Sequence, residues 1–146
     1  MKNLRLKIIS AALAVLTLLS VSGCKGNTKK LTVVIGGSSP VEYRVDLKKL
    51  NGDDGLVSVL EYLKRKGKID YELSDGRIVS VGHLEESSAE SRSICVYTSV
   101  AKDADTAADR LTVDYKGETY AESKTDIYDM TLEEGAVIYI GYIRIL

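Results

Sequence analysis

The chain has 146 residues, with 20 basic residues, 21 acidic residues, one histidine and a formal net charge of −1. The first 23 residues hold three of the bases and none of the acids, so the remainder carries 17 against 21, a charge of −4. That balance supplies no basic stripe for nucleic acid.

The chain opens on a basic segment, Lys2, Arg5 and Lys7, followed by an apolar run from Ile8 to Leu19. This is the pattern of an export signal. The run falls short of the ~20 residues that a spanning helix needs, which weighs against the alternative of a membrane span over residues 8–21. It ends in Val21-Ser22-Gly23-Cys24. Small residues before a cysteine, behind an aliphatic one, resemble the lipobox of bacterial lipoproteins. The resemblance implies cleavage after residue 23, a lipid on Cys24 and a place on the extracytoplasmic face of the cell membrane. With Cys24 assigned to lipid, Cys95 has no intramolecular partner and a disulfide framework is excluded. Residues 24–30 then read as lipidated cysteine and tether. The lysines of that tether are placed to meet anionic head groups, at about 1 kcal/mol per charge.

The domain proper spans residues 31–146. Leu31–Ile35 (LTVVI) is β-branched and apolar, which predicts a strand. A turn cluster containing Pro40 follows. Val41–Leu47 alternates, with Val41, Tyr43, Val45 and Leu47 on one face and Glu42, Arg44 and Asp46 on the other. The two strands read as a hairpin. Leu56, Val59, Leu60 and Leu63 recur at helical spacing and predict a helix over Gly55–Lys66, capped by Asp53 or Asp54 and stopped by Gly67. Lys64, Arg65 and Lys66 fall in the last turn, where the helix dipole favours cations.

Strands are then expected at Ile78–Val81 and Ser93–Val100, with a polar loop at Glu85–Ser91 between them. Ala101–Arg110 reads as a loop or a short helix. Leu111–Tyr115 and Glu118–Ala121 flank Lys116-Gly117, a hairpin turn. A tight turn at Thr131–Gly135 leads into Ala136–Leu146 (AVIYIGYIRIL), apolar on both faces and therefore expected to be central in its sheet. The fold class is α+β, a mixed sheet of about five to seven strands with one main helix.

Two strands, a helix, then strands ending in a central one is the order of a β-grasp fold. The LVSVLEYLKRKG helix (Leu56–Gly67), Thr125-Asp126-Ile127 and the late segment Leu132–Tyr139 resemble the transcobalamin C-terminal-like β-grasp domain. The resemblance covers about Leu31–Tyr142. It implies the β-grasp fold and, more distantly, a corrinoid-like ligand. The chain departs from that family in having no tryptophan or phenylalanine, and in replacing the turn after Ser93–Val100 with Ala101–Arg110.

Catalytic chemistry finds few residues. One histidine (His83) and one spare cysteine (Cys95) are too few for a zinc site, so no metal and no cofactor is expected. Asp103, Asp105 and Asp109 mimic a calcium loop, but Ala108 and Asp114 stand where glycine and glutamate are required. A Cys95–His83 thiol pair is the residual enzymatic reading. The carboxylate pairs Asp53/Asp54, Glu85/Glu86 and Glu133/Glu134 read as surface charge.

All nine aromatic residues are tyrosine, a side chain with a stacking face and a polar tip. Tyr97, Tyr139 and Tyr142 are the candidate ligand-binding residues, because their strands are expected to be neighbours; the alternative is tyrosine as ordinary strand and rim packing. The functional expectation is a non-catalytic, lipid-anchored binding domain. Its partners are the membrane, through Cys24, and either a small molecule or an envelope protein. A pure protein-interaction or scaffold module is the alternative.

Overall fold

The structure, a computed structural model, describes residues 28–144. The expected leader (1–23) and Cys24 lie outside the described residues.

Strands β1 (Lys30–Ile35) and β2 (Val41–Asp46) form the expected antiparallel hairpin. A single 3-10 turn (Leu47–Lys49) leads to helix α1 (Gly55–Arg65). The first main-chain correction concerns its cap. Asp54 occupies the cap position but its side chain makes no capping bond; instead its N–H donates to Ser58 Oγ at 3.0 Å. The start is held from outside, by the Leu56 N–H donating to the Ile127 carbonyl at 2.7 Å. Gly67, at φ +64°, ends the helix in the left-handed conformation that glycine adopts cheaply.

Three strands then form a small antiparallel sheet: β3 (Tyr71–Ser74), β4 (Arg77–Val81) and β5 (Leu84–Glu85). Only β4 was expected. The turn between β3 and β4 is Asp75-Gly76, at φ +49° and +75°, the two positive values that a two-residue hairpin turn requires. β6 (Arg92–Thr98) follows, then β7 (Thr112–Tyr115), β8 (Glu118–Glu122) and β9 (Val137–Arg144). Residues Ala101–Arg110 form turns, with no helix.

The main sheet has six strands in the order β2-β1-β9-β6-β8-β7. β9 runs parallel to β1 and antiparallel to β6, so the last strand is central, as its two apolar faces predict. The backbone bonds confirm the alternation on β1: Thr32 N–H donates to the Ala136 carbonyl and Gly36 N–H to that of Ile140.

One face of this sheet carries the main core. Leu31, Val33, Ile35, Val45, Ile138 and Ile140 share it with Leu56, Val59, Leu60 and Leu63 of α1, all buried. Each such side chain contributes about 1.5–3 kcal/mol on leaving water. The small sheet covers the same face through Ile78, Val81 and Leu84. Its outer strand is tied to the helix by Tyr71, whose hydroxyl donates to Glu61.

Gly55 makes the seating of the helix possible. A Cβ there would lie 2.6 Å from the Ile127 carbonyl oxygen and 2.7 Å from that of Tyr128, at φ +49°. Gly55→Ala is therefore expected to lose about 2–4 kcal/mol in denaturant unfolding. Gly76→Ala meets no atom within 4 Å and is strained only by its backbone, so about 1–2 kcal/mol is expected there. Equal losses at the two sites would refute the docking account.

Candidate functional site

The opposite face of the main sheet holds a second, smaller core. Val34, Tyr97 and Tyr139 are buried there, with Tyr115 and Tyr120 packed around them. Tyr97 and Tyr139 stand directly across β6 and β9 from one another, their rings edge to face at 6.1 Å. Tyr115 leans on Tyr139 at 5.4 Å. The Tyr139 ring fits because two flanking residues lack side chains. A Cβ on Gly141 would sit 2.6 Å from Tyr139 Cε1, and one on Gly36 would sit 2.6 Å from Cζ.

These facts correct the expected tyrosine surface. Tyr97 is 4% exposed and Tyr139 8%, so both are core residues and not a platform. Tyr142, three positions from Tyr139 on the same strand, points to the other face. There it packs against the main core, and its hydroxyl accepts from Glu85 N–H at 2.9 Å and bonds the Glu85 carbonyl at 3.2 Å. The three tyrosines do not share a site.

What covers Tyr97 and Tyr139 is the β7–β8 hairpin. β8 registers with β6 only at Tyr97–Glu122 and Thr98–Ala121. Tyr115 and Lys116, beside the hairpin tip, reach β2 at the other edge of the sheet. Tyr115 donates its hydroxyl to Glu42 Oε1 at 2.8 Å, and Lys116 forms an ion pair with the same oxygen. The hydrogen bond from Lys116, and then that from Tyr115, holds the Glu42 carboxyl below its ordinary 4.5. Burial and the bond to Glu42 push the Tyr115 hydroxyl up.

The thiol and the histidine have separate duties. Cys95 is half-buried, with Sγ 3.7 Å from Glu122 Oε2. Burial, and then the Glu122 charge, push the thiol up to about 11. A nucleophilic cysteine needs the opposite shift. The His83 ring bonds the Gly36 carbonyl through Nε2 at 2.6 Å.

Two acids, Asp103 of the calcium-like run and Glu86 of the Glu85/Glu86 pair, are structural. Asp103, 4% exposed, accepts from Thr131 N–H at 2.6 Å and from the Thr125 hydroxyl at 3.1 Å, pinning the loop before β9. Glu86 accepts from Ile94 N–H at 3.0 Å and pairs with Arg77, tying the small sheet to β6.

The arrangement best suited to binding lies along β2. This is an edge strand, and its backbone alternation is fixed by the Leu47 N–H donating to the Lys29 carbonyl. In that register Glu42, Arg44 and Asp46 direct their N–H and C=O groups away from β1. An open hollow lies on each side of this edge. On the helix side, about 360 Å³ is lined by Tyr43, Tyr62, Leu63, Lys66 and Lys68 together with β2 itself. On the other side, about 160 Å³ is lined by Thr32, Arg44, Tyr115, Lys116 and Tyr120. Lys66 stands 5.8 Å over the Tyr62 ring. Among the described residues Arg44, Lys66 and Lys68 form no ion pair. A third hollow, about 370 Å³ with Leu47, Leu50, Met130 and Leu132 in its wall, sits at the start of α1 and brings only Asp53 as a charge.

Sequence reasoning passed over this edge. Its signals are the charged residues that alternate with apolar ones on β2 and the lysines after α1, of which the helix dipole accounts for Lys66 and not for Lys68. Comparison with family models, curated proteins and solved structures finds no match to the chain.

Two outcomes test this geometry. Alkylation of Cys95 by iodoacetamide should be slow at pH 7–8 and should climb steeply only as pH approaches 11; fast labelling at pH 7 would reinstate a reactive thiol. The Glu42 contact should respond to acid. A carboxyl lowered in the folded state stabilises above its unfolded value and loses that contribution as pH falls through the folded one. The Tyr115 ring resonances should therefore hold constant down to about 4.5 and change below it, and Glu42→Gln should abolish the transition.

Proposed function

We propose that this chain is a lipid-anchored, non-catalytic binding module on the extracytoplasmic face of a bacterial cell membrane, and that its partner is a protein. The reading keeps the domain as a β-grasp type. In support, the first hairpin forms one edge, the last strand lies parallel to β1 at the centre, and the one long helix among the described residues crosses a single face. The small β3-β4-β5 sheet stands as an insertion between that helix and β6. Membrane attachment rests on the Val21–Cys24 segment and on the short tether that follows it.

The observation that carries the choice of partner is the β2 edge, with outward backbone groups between two hollows. Main-chain groups at an open edge bind extended polypeptide without reference to sequence, and flanking pockets supply selectivity. Capture of a small molecule, including a corrinoid-like one, stood beside a protein partner among the expectations. Its candidate residues were Tyr97, Tyr139 and Tyr142; the first two are spent on packing and the third lies on the opposite face. The thiol-enzyme alternative loses support from the raised Cys95 thiol and from the His83 bond to Gly36. The reading calls for no cofactor.

Two measurements in cells test it. Cys24→Ala should move the protein out of the membrane fraction and abolish incorporation of radiolabelled palmitate; unchanged labelling sinks the anchor. A photo-cross-linking amino acid at Arg44 should join the chain to another polypeptide, whereas the same group at the Asp75-Gly76 turn should not. Equal or absent cross-linking at Arg44 would remove the protein-partner reading.

A further inference from the structure

The chemistry around β2 also narrows what kind of polypeptide fits. We infer that β2 accepts an acidic, extended segment as an added strand, completing a seventh position in the main sheet. This rests on the protein-partner reading above.

Strand geometry dictates where the side chains of such a segment go. Successive residues of a strand point to opposite faces. A strand laid along Glu42–Asp46 therefore sends alternate side chains into the hollow beside α1 and into the hollow beneath the β7–β8 hairpin. The first hollow presents Lys66 and Lys68, and the second presents Arg44 and Lys116. Among the residues lining the two, the only carboxylate is Glu42, and it is already paired with Lys116. With Glu42 and Lys116 neutralising one another, three unpaired cations, Arg44, Lys66 and Lys68, remain, a local reversal of sign in a domain whose net charge is negative. It favours carboxylates on both faces of the incoming strand.

The aromatic residues set the second requirement. Tyr43 and Tyr62 line one hollow and Tyr115 and Tyr120 the other. Their ring faces accommodate aliphatic or aromatic side chains between the acidic ones. The Tyr43 hydroxyl bonds the Lys68 carbonyl at 3.4 Å, which holds the helix-side hollow against the strand. The backbone supplies the remaining contacts, through the outward N–H and C=O groups of Glu42 and Arg44. Val41, at the start of β2, is 40% exposed and lies where an added strand would cover it.

The test uses the full chain purified in detergent and two fluorescein-labelled decapeptides. One alternates glutamate with valine and tyrosine, and the other has lysine in place of every glutamate. The acidic peptide should bind saturably by fluorescence anisotropy, should protect the Glu42 and Arg44 amides from hydrogen exchange, and should weaken with added salt. The lysine peptide should not bind. Lys66→Gln with Lys68→Gln should weaken the acidic peptide about ten-fold, the scale of two exposed ion pairs. Both side chains are on the surface, and unchanged circular dichroism would show the fold intact. Arg44→Pro removes an outward N–H that β1 does not use, and should abolish amide protection at Glu42.

Binding indifferent to peptide charge, binding without protection of the β2 amides, or self-association of the chain through β2 would each overturn the inference. The two levels remain distinguishable. Loss of peptide binding with cross-linking at Arg44 retained discards only the acidic strand, whereas silence in cross-linking discards the protein partner itself.

Discussion

β9 is paired along both edges, by β1 and β6, and carries apolar side chains on both faces, so both faces have to be covered by the rest of the chain. Ile138 and Ile140 look toward α1, and Tyr139 looks the other way. The helix and the small sheet meet the first requirement with aliphatic packing. The second is harder, since a tyrosine ring beside a pleated backbone needs room. Gly36 and Gly141 create that room by having no Cβ. The ring then forms the floor on which Tyr97 and Tyr115 pack. Much of the architecture answers the single demand of a strand with no solvent-facing side.

The β7–β8 hairpin follows from the same demand. It joins the sheet by two residue pairs and then serves as a lid for the tyrosine core. In doing so it brings Lys116 and Tyr115 onto Glu42, linking the two outermost strands of a six-stranded order. The contact is exposed and contributes little by itself. Its effect is positional: it fixes one wall of the smaller hollow beside β2 and commits the only acid there. Core packing and the character of the open β2 edge are thus one problem, solved by the same residues.

The elements most legible in the sequence were those with a strong period or punctuation. The helical spacing of Leu56, Val59, Leu60 and Leu63 placed α1 to within a residue, and the two-sided apolarity of the last strand placed it at the centre. Asp75-Gly76 carried a hairpin signal of the same quality as Lys116-Gly117, yet β3 escaped because YELS is short and half polar. The cap of α1 was misread for a different reason. Its amides are satisfied by a carbonyl 71 residues away, at Ile127, which no local pattern reports. The tyrosine site failed on parity: Tyr139 and Tyr142 are an odd number apart, so neighbouring strands did not mean a shared face. Tyrosine as strand packing was readable, but which tyrosines are buried depends on where the β7–β8 hairpin lies over the sheet face.

Position relative to the proposed anchor gives the β2 edge a further meaning. The six steps from Cys24 to Lys30 reach at most about 21 Å when fully extended. β1 begins at Lys30, and β2 is its immediate hairpin partner. On the lipid-anchored reading the open edge therefore works close to the membrane, and an incoming segment must approach that surface. An acidic segment is repelled by anionic head groups and attracted by Arg44, Lys66 and Lys68. The lysines are also attractive to those head groups. The two fields compete for the same cations within a Debye length of about 8 Å at physiological salt. An edge that leaned on charge alone would be occupied by lipid. The backbone groups of Glu42 and Arg44 have no such competitor, because a head group cannot match the spacing of a strand. On the proposed reading, main-chain pairing selects polypeptide over lipid, and the cations then select among polypeptides.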